Sequence, residues 1–355
     1  MRCAMTVHMT DKEYAEHIAD VFTSSEVVYI ASTPNMAFKY AQPYFKAMYG
    51  IEILKEDWET REKFTADNFL SVICDMARDL VPESYQLTKD LVIKFVPNWA
   101  TNAQVVINPS TKNPIVFINT GVVGNIQIAL NVYTALTRKN ISISLAPYTF
   151  EQLYDEMLEA VEVSVNGMTA GKEMTHIAKF GSVDAVVNNG IVHIAVTVEI
   201  FMILHEIAHI VLGHVQSSFD PNKVNPKAPS GSEMLHVIDR PVGKEVDADL
   251  AAIKWLMRPK QGTGLEPSTA LFVLGFYLMY LQLCEDVDSR RGFDWFGVYS
   301  KEYSFRWEVA KRHFLIEQYQ GSPAWDIDAW FSRIRSRLAF KKSSSDHGKV
   351  PQAQA

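Results

Sequence analysis

His205-Glu206-Ile207-Ala208-His209 sets two imidazoles four residues apart, with a carboxylate directly after the first. The residues on either side, Ile191–Leu212, are apolar enough to read as a helix. On a helix, positions i and i+4 share a face, with Cβ atoms roughly 5–6 Å apart. Two imidazoles so placed can converge on one metal ion at about 2.0–2.1 Å per bond, and a donor set rich in nitrogen and oxygen suits zinc. Glu206 points about a quarter-turn away. That is awkward for a third ligand but suited to taking a proton from a water beside the metal and passing it to a leaving amine. The plain alternative is a helix that happens to carry His and Glu, since five-residue patterns arise by chance.

A second segment, Lys244-Glu245-Val246-Asp247-Ala248-Asp249-Leu250 running on to Met257, reads as a helix of strong formers with an apolar stripe. A catalytic zinc site needs three protein ligands and an open position, and two His with one Glu is a known set. Glu245 is the expected third ligand. Asp249, one turn on, is placed to accept the outer N–H of a ligand imidazole, His205 in the first instance, which would fix its tautomer. Asp247 falls on the opposite face as a solvated carboxylate. Ala248 is small enough to let the two helices approach. Taken alone, the segment reads better as an acidic first turn answering the helix dipole.

The pairing resembles the gluzincin metallopeptidases, whose pattern is HExxH followed by ExxxD on a later helix. The form here, HExxHxxxGH and then ExxAD, is similar to a subset of them. These are the membrane prenyl-protein and heat-shock proteases, the soluble minigluzincins, the ImmA/IrrE group and the Lit-like phage-exclusion peptidases. Upstream, Asn102-Ala103-Gln104-Val105 and Ile115-Val116-Phe117-Ile118-Asn119-Thr120-Gly121 look like the Asn-Ala strand and the strand leading into a Thr-Gly helix start in those proteases. The resemblance covers residues 90–130 and 195–260. It implies an edge strand beside the active site, with Asn102 and Ala103 binding substrate, and a peptide or protein as that substrate. The chain departs from the pattern in the long, helix-patterned stretch between Thr120-Gly121 and His205. The metzincin alternative fails, because the positions that need Gly and His are Leu212 and Val215. His214 reads as a helix-end residue meeting carbonyls and the dipole. Gly213 permits either close packing or a helix end.

A group to stabilise the developing oxyanion is also expected. His236, Tyr303, Arg306, Arg312 and His313 are the candidates. Arg306 is preferred, because Tyr303-Ser304-Phe305-Arg306 falls about where the related proteases carry a His-Pro…Arg segment, although neither the His nor the Pro is present.

With 48% hydrophobic and 21% charged residues, the chain of 355 can build a substantial core. Its net charge of −7 argues against nucleic acid as a main partner. Cys3, Cys74 and Cys284 are too few and scattered for a disulfide framework, which suits a reduced, cytoplasmic compartment. Met1 to Lys12 lacks a signal-peptide core. Ile191–Leu212 is long enough to span a membrane, but His193, Glu199, His205, Glu206 and His209 would be costly there. Ala270–Cys284 falls short of the roughly 20 residues a span needs, and membrane association is kept as the lesser alternative.

The expected fold is α+β: a mainly helical zincin-like domain with a small antiparallel sheet over the HExxH helix. Strands are expected at Leu91–Val96, Gln104–Ile107 and Ile115–Ile118, with a further short one at Val27–Ala31. Helices are expected at 11–24 and 64–80, capped by Asp11 and Thr65, and at 122–138, 148–165, 195–214, 244–258, 268–285, 303–319 and 325–340. Residues 1–90 form an N-terminal helical or mixed region, 91–341 the metallopeptidase domain with a helical insertion at about 125–190, and 342–355 a disordered tail. The 215–243 stretch, rich in Pro and Ser, reads as a long loop, either a lid or a plain insertion. The expected activity is Zn2+-dependent peptide hydrolysis with Glu206 as general base. The alternatives are a regulatory protease of ImmA/IrrE or phage-exclusion type with one specific partner, and a non-catalytic, zinc-stabilised interaction protein. The oligomeric state is not legible.

Overall fold

The computed structural model describes residues 9–22, 66–85, 90–96, 103–119, 121–137, 157–158, 161, 185–215, 241–258, 265–288 and 302–346. The elements are α1 (Asp11–Phe22), α2 (Ala66–Leu80), β1 (Val92–Val96), β2 (Ala103–Ile107), β3 (Pro114–Asn119), α3 (Gly121–Thr137), α4 (Ala185–Val211), α5 (Val242–Leu256), α6 (Pro267–Asp288), α7 (Glu302–His313) and α8 (Pro323–Asp346). The chain is α+β and mostly helical. Val27–Ala31, Thr65, Asn102, Thr120, His236 and most of 148–165 and 215–243 lie outside the described residues.

The organising element is α4. Its 27 residues are apolar on every side, so it has no face to give to water and must be surrounded. It is packed by α2, α3, α5 and α6 and by β2 and β3. Phe201, Ile203, Leu204, Ile207 and Ala208 are all fully buried. The helix starts ten residues before the expected 195, because the apolar pattern continues back through Ile191 and His193.

The three strands form one sheet in the order β1-β3-β2. It is mixed, not antiparallel as expected: β2 and β3 form an antiparallel hairpin, while β1 runs parallel to β3 on its other edge. Period-two alternation identifies strands but carries no information about their order or direction. The central β3 is buried on both faces. Val116 and Ile118 join the main core with Val105, whereas Ile115 and Phe117 meet Ala15 and Ala19 of α1. The sheet is thus held between α1 and the helical layer.

Thr10, not Asp11, caps α1. Thr10 and Glu13 form a reciprocal capping box, the Thr10 N–H donating to Glu13 Oε2 at 2.9 Å and the Glu13 N–H to Thr10 Oγ1 at 3.3 Å. Asp11 instead accepts hydrogen bonds from Asn108, Thr111 and Asn113 and so ties α1 to the β2–β3 turn. At the other end, α8 carries residues 342–346, which belong to the helix and not to a disordered tail. Three serines lower helix propensity only modestly.

Among the described residues, two helical segments are long and apolar enough to cross a membrane by length and composition, His193–Val211 and Pro267–Asp286, and most of each is buried inside the protein. The second is longer than the apolar run Ala270–Cys284 suggested, because Pro267-Ser268-Thr269 begins the helix and Glu285–Asp288 extends it. Within α4, no described residue donates a hydrogen bond to either oxygen of the fully buried Glu199, and burial pushes its carboxyl up to about 8.

α7 is seated by an aromatic contact against α6. A Cβ on Gly275 would meet the Trp307 ring at 2.8 Å and Ile327 Cδ1 at 2.9 Å, so only glycine lets Trp307 lie flush on α6. Trp307 is fully buried, and its indole N–H donates to Asp328 at 2.9 Å. We expect Gly275→Ala to cost about 1–3 kcal/mol by overpacking, read from the urea midpoint. An unchanged midpoint would show that Trp307 is not held in this way.

Candidate metal centre

α4 and α5 lie against each other, and small Ala248 of α5 is fully buried. His205 and His209 project from one face of α4 toward Glu245 and Asp249 on α5. His205 Nε2 lies 3.1 Å from Glu245 Oε2 and 3.0 Å from His209 Nε2. His209 Nε2 lies 3.3 Å from Glu245 Oε1. Of the described residues, these three form a His/Glu group that could hold a metal ion. Three donors sharing one tetrahedral zinc, at bonds of about 2.05 Å, stand about 3.3 Å apart. The two ε nitrogens stand at nearly that separation, and each faces one oxygen of the Glu245 carboxylate at a similar distance, so the residues fit the ion.

Behind the triangle is a carboxylate–guanidinium pair. Asp249 Oδ1 lies 2.9 Å from His205 Nδ1, on the side of the ring away from His209. Asp249 also accepts two hydrogen bonds from Arg306, from Nε at 2.7 Å and from Nη2 at 2.8 Å. Arg306 Nη1 lies 3.3 Å from Glu245 Oε2 and 3.5 Å from Glu302 Oε1. Every nitrogen of the guanidinium therefore faces a carboxylate. The Arg306 side chain is buried and turned toward Asp249, with Nη1 toward Glu245. A buried, bidentate pairing satisfies a guanidinium better than an open cleft does.

The charges follow from this arrangement. Burial would raise the carboxyls of Asp249 and Glu245. Arg306 and His205 outweigh it at Asp249, and His205, His209 and Arg306 outweigh it at Glu245, so both lie below their ordinary values. Burial would lower His205, but Asp249 and Glu245 lift it to about 9. Burial dominates at His209 and lowers it. Burial also raises Glu302. Glu206 is buried among these groups, close enough for its charge to act on His209 and on Tyr277. Glu245, Asp249 and Glu302 thus crowd around the guanidinium of Arg306, with Glu206 buried nearby beside His209. A divalent cation at the triangle would relieve that excess of buried acid.

The other residues singled out in the sequence lie apart from the triangle or lack a described position. Ala103 opens β2, an edge strand among the described residues, which packs on α4. Arg312 and His313 are exposed two turns beyond Arg306 at the end of α7. Asp247 is exposed. Tyr303 packs under Arg306, whose guanidinium carbon is 5.6 Å from the ring centre, and burial raises its phenol.

Two residues near the centre were given no part in it by the sequence reading. Tyr277 of α6, buried with its ring 5.7 Å from Phe201, feels Tyr303, Arg306, Glu206 and Asp249. Burial pushes its phenol well up. In the run Ala270–Cys284 it read as core. The other is His214, whose Nδ1 lies 3.0 Å from Nδ1 of His209.

Arg306→Met removes the cation and leaves two buried carboxylates uncompensated, which should cost about 3–5 kcal/mol. Arg306→Lys, which keeps the charge without the fork, should lose less. Thermal unfolding of the metal-free proteins measures both. An Arg306→Met protein as stable as wild type would contradict the pairing. Compared with protein-family models, curated proteins and solved structures, the chain finds no match.

Proposed function

We propose that this chain is a zinc-dependent metallopeptidase of gluzincin type. The observation that carries the reading is the convergence of His205 Nε2 and His209 Nε2, 3.0 Å apart, on the Glu245 carboxylate, whose Oε2 lies 3.1 Å from the first and Oε1 3.3 Å from the second. Two His and one Glu are a ligand set known from catalytic zinc sites, which keep an open position for water. Zinc in this position supplies a Lewis acid that lowers the pKa of a water and polarises a scissile carbonyl.

The protein's own groups do the rest. Glu206 takes the proton of the attacking water and later delivers it to the leaving amine. Asp249 accepts the Nδ1 proton of His205, which leaves Nε2 free to bind. Arg306 holds Asp249 in place, as a positioning residue. Tyr303, packed against the Arg306 guanidinium, and Tyr277 of α6 are the nearby hydroxyl donors for the oxyanion. A peptide substrate would lie along the outer edge of β2, near Asn102 and Ala103, as an added strand. A zinc site that merely braced two helices would need no buried carboxylate at Glu206.

Glu206→Gln keeps the shape and removes the base. It should retain zinc and lose peptide hydrolysis by about 10²–10⁴-fold. The assay uses a mixed peptide library with mass-spectrometric detection of cleavage, on zinc-loaded protein. Wild-type hydrolysis by zinc-loaded Glu206→Gln would overturn the mechanism.

A further inference from the structure

The two ligand imidazoles are anchored differently. A histidine that binds a metal through Nε2 is neutral and carries its proton on Nδ1, and when that N–H is buried it requires an acceptor. For His205 the acceptor is Asp249. His209 is fully buried, and the atom beside its Nδ1 is Nδ1 of His214, at 3.0 Å.

The end of α4 explains how His214 comes to be there. The Gly213 N–H donates to the Ile210 carbonyl at 3.1 Å and the His214 N–H to the His209 carbonyl at 2.9 Å. This is a Schellman cap, with Gly213 left-handed at φ +71°. Nothing lies within 4 Å of a Cβ built on Gly213, so its requirement is conformational and not one of space. The turn carries the chain back, and the His214 ring, nearly buried, comes to rest against the ring of His209, with centroids 5.2 Å apart.

Two Nδ1 atoms at hydrogen-bond distance share a single proton. If His209 holds it, His214 must present a bare Nδ1 and carry its own proton on Nε2. We propose that His214, set in place by the Gly213 cap, is the positioning residue of His209, accepting its Nδ1 proton and so directing Nε2 to the metal. The inference rests on the zinc reading above. It also has an electrostatic logic. A second carboxylate here would add to the buried negative charge around Arg306, whereas a neutral imidazole accepts the proton without adding any.

The test is zinc affinity by chelator competition for wild type, His214→Leu and His214→Asn, with circular dichroism reporting the fold. Leu removes the acceptor, and Asn restores one, since its Oδ1 stands close to where Nδ1 was. His214→Leu should bind zinc about 10–100-fold more weakly, as losses of such partners do, while His214→Asn stays within about threefold of wild type. Nitrogen-15 spectra of histidine-labelled, zinc-loaded wild type give a readout that needs no variant to fold: His209 protonated at Nδ1, His214 at Nε2 only. Wild-type zinc affinity in folded His214→Leu, or a proton on His214 Nδ1, would overturn the proposal and leave the zinc centre standing. A wild type that binds no zinc would overturn both.

Discussion

Asp249 is the point on which the candidate centre depends. Its two oxygens, fully enclosed, are shared between the guanidinium of Arg306 on α7 and the imidazole of His205 on α4, while the backbone that carries it belongs to α5. One carboxylate thereby links three helices. An ionised carboxylate buried without partners would cost several kcal/mol. Here the same burial strengthens its bonds to its partners, and the geometry of the fork admits little freedom. α5 cannot slide on α4 without breaking that contact, and Glu245, one turn away, is kept opposite the two histidines.

The packing behind the centre serves the same constraint. Gly275 leaves room for Trp307, and Trp307 seats α7, which carries its sequence neighbour Arg306 to Asp249. Ala248 lets α5 close on α4. The apolar length of α4, surrounded by helices and the sheet, makes a rigid base for a turn bearing two imidazoles and a carboxylate. Rigid elements hold such a constellation more accurately than loops do.

Much of this was legible in the sequence because it depends on local spacing. The i, i+4 rule brings His205 beside His209 and Glu245 beside Asp249 before any packing is known, and the contrast of small Ala248 with exposed Asp247 orients α5. Strand positions were legible for the same reason. What long-range packing decides was not. The parallel pairing of β1 with β3 depends on the order of strands in space. Asp11 reads as a cap, yet Thr10 takes that role and Asp11 turns to a loop almost a hundred residues away in the chain. Arg306 lies in the expected region, but its direction is set by buried Asp249, which no pattern within α7 reveals. Tyr277 was hidden within an apolar run. His214 follows a glycine at a helix end, a signature that marks a cap and conceals that the cap returns a side chain to the site.

The central claim is that His205, His209 and Glu245 hold one metal ion. Its most direct test is elemental analysis of zinc in purified wild type and in Glu245→Ala, after reconstitution and dialysis. The account predicts one zinc per chain in the wild type, lost or sharply reduced when the Glu245 carboxylate is removed. Wild type without zinc after reconstitution, or Glu245→Ala holding it as tightly as wild type, would contradict it.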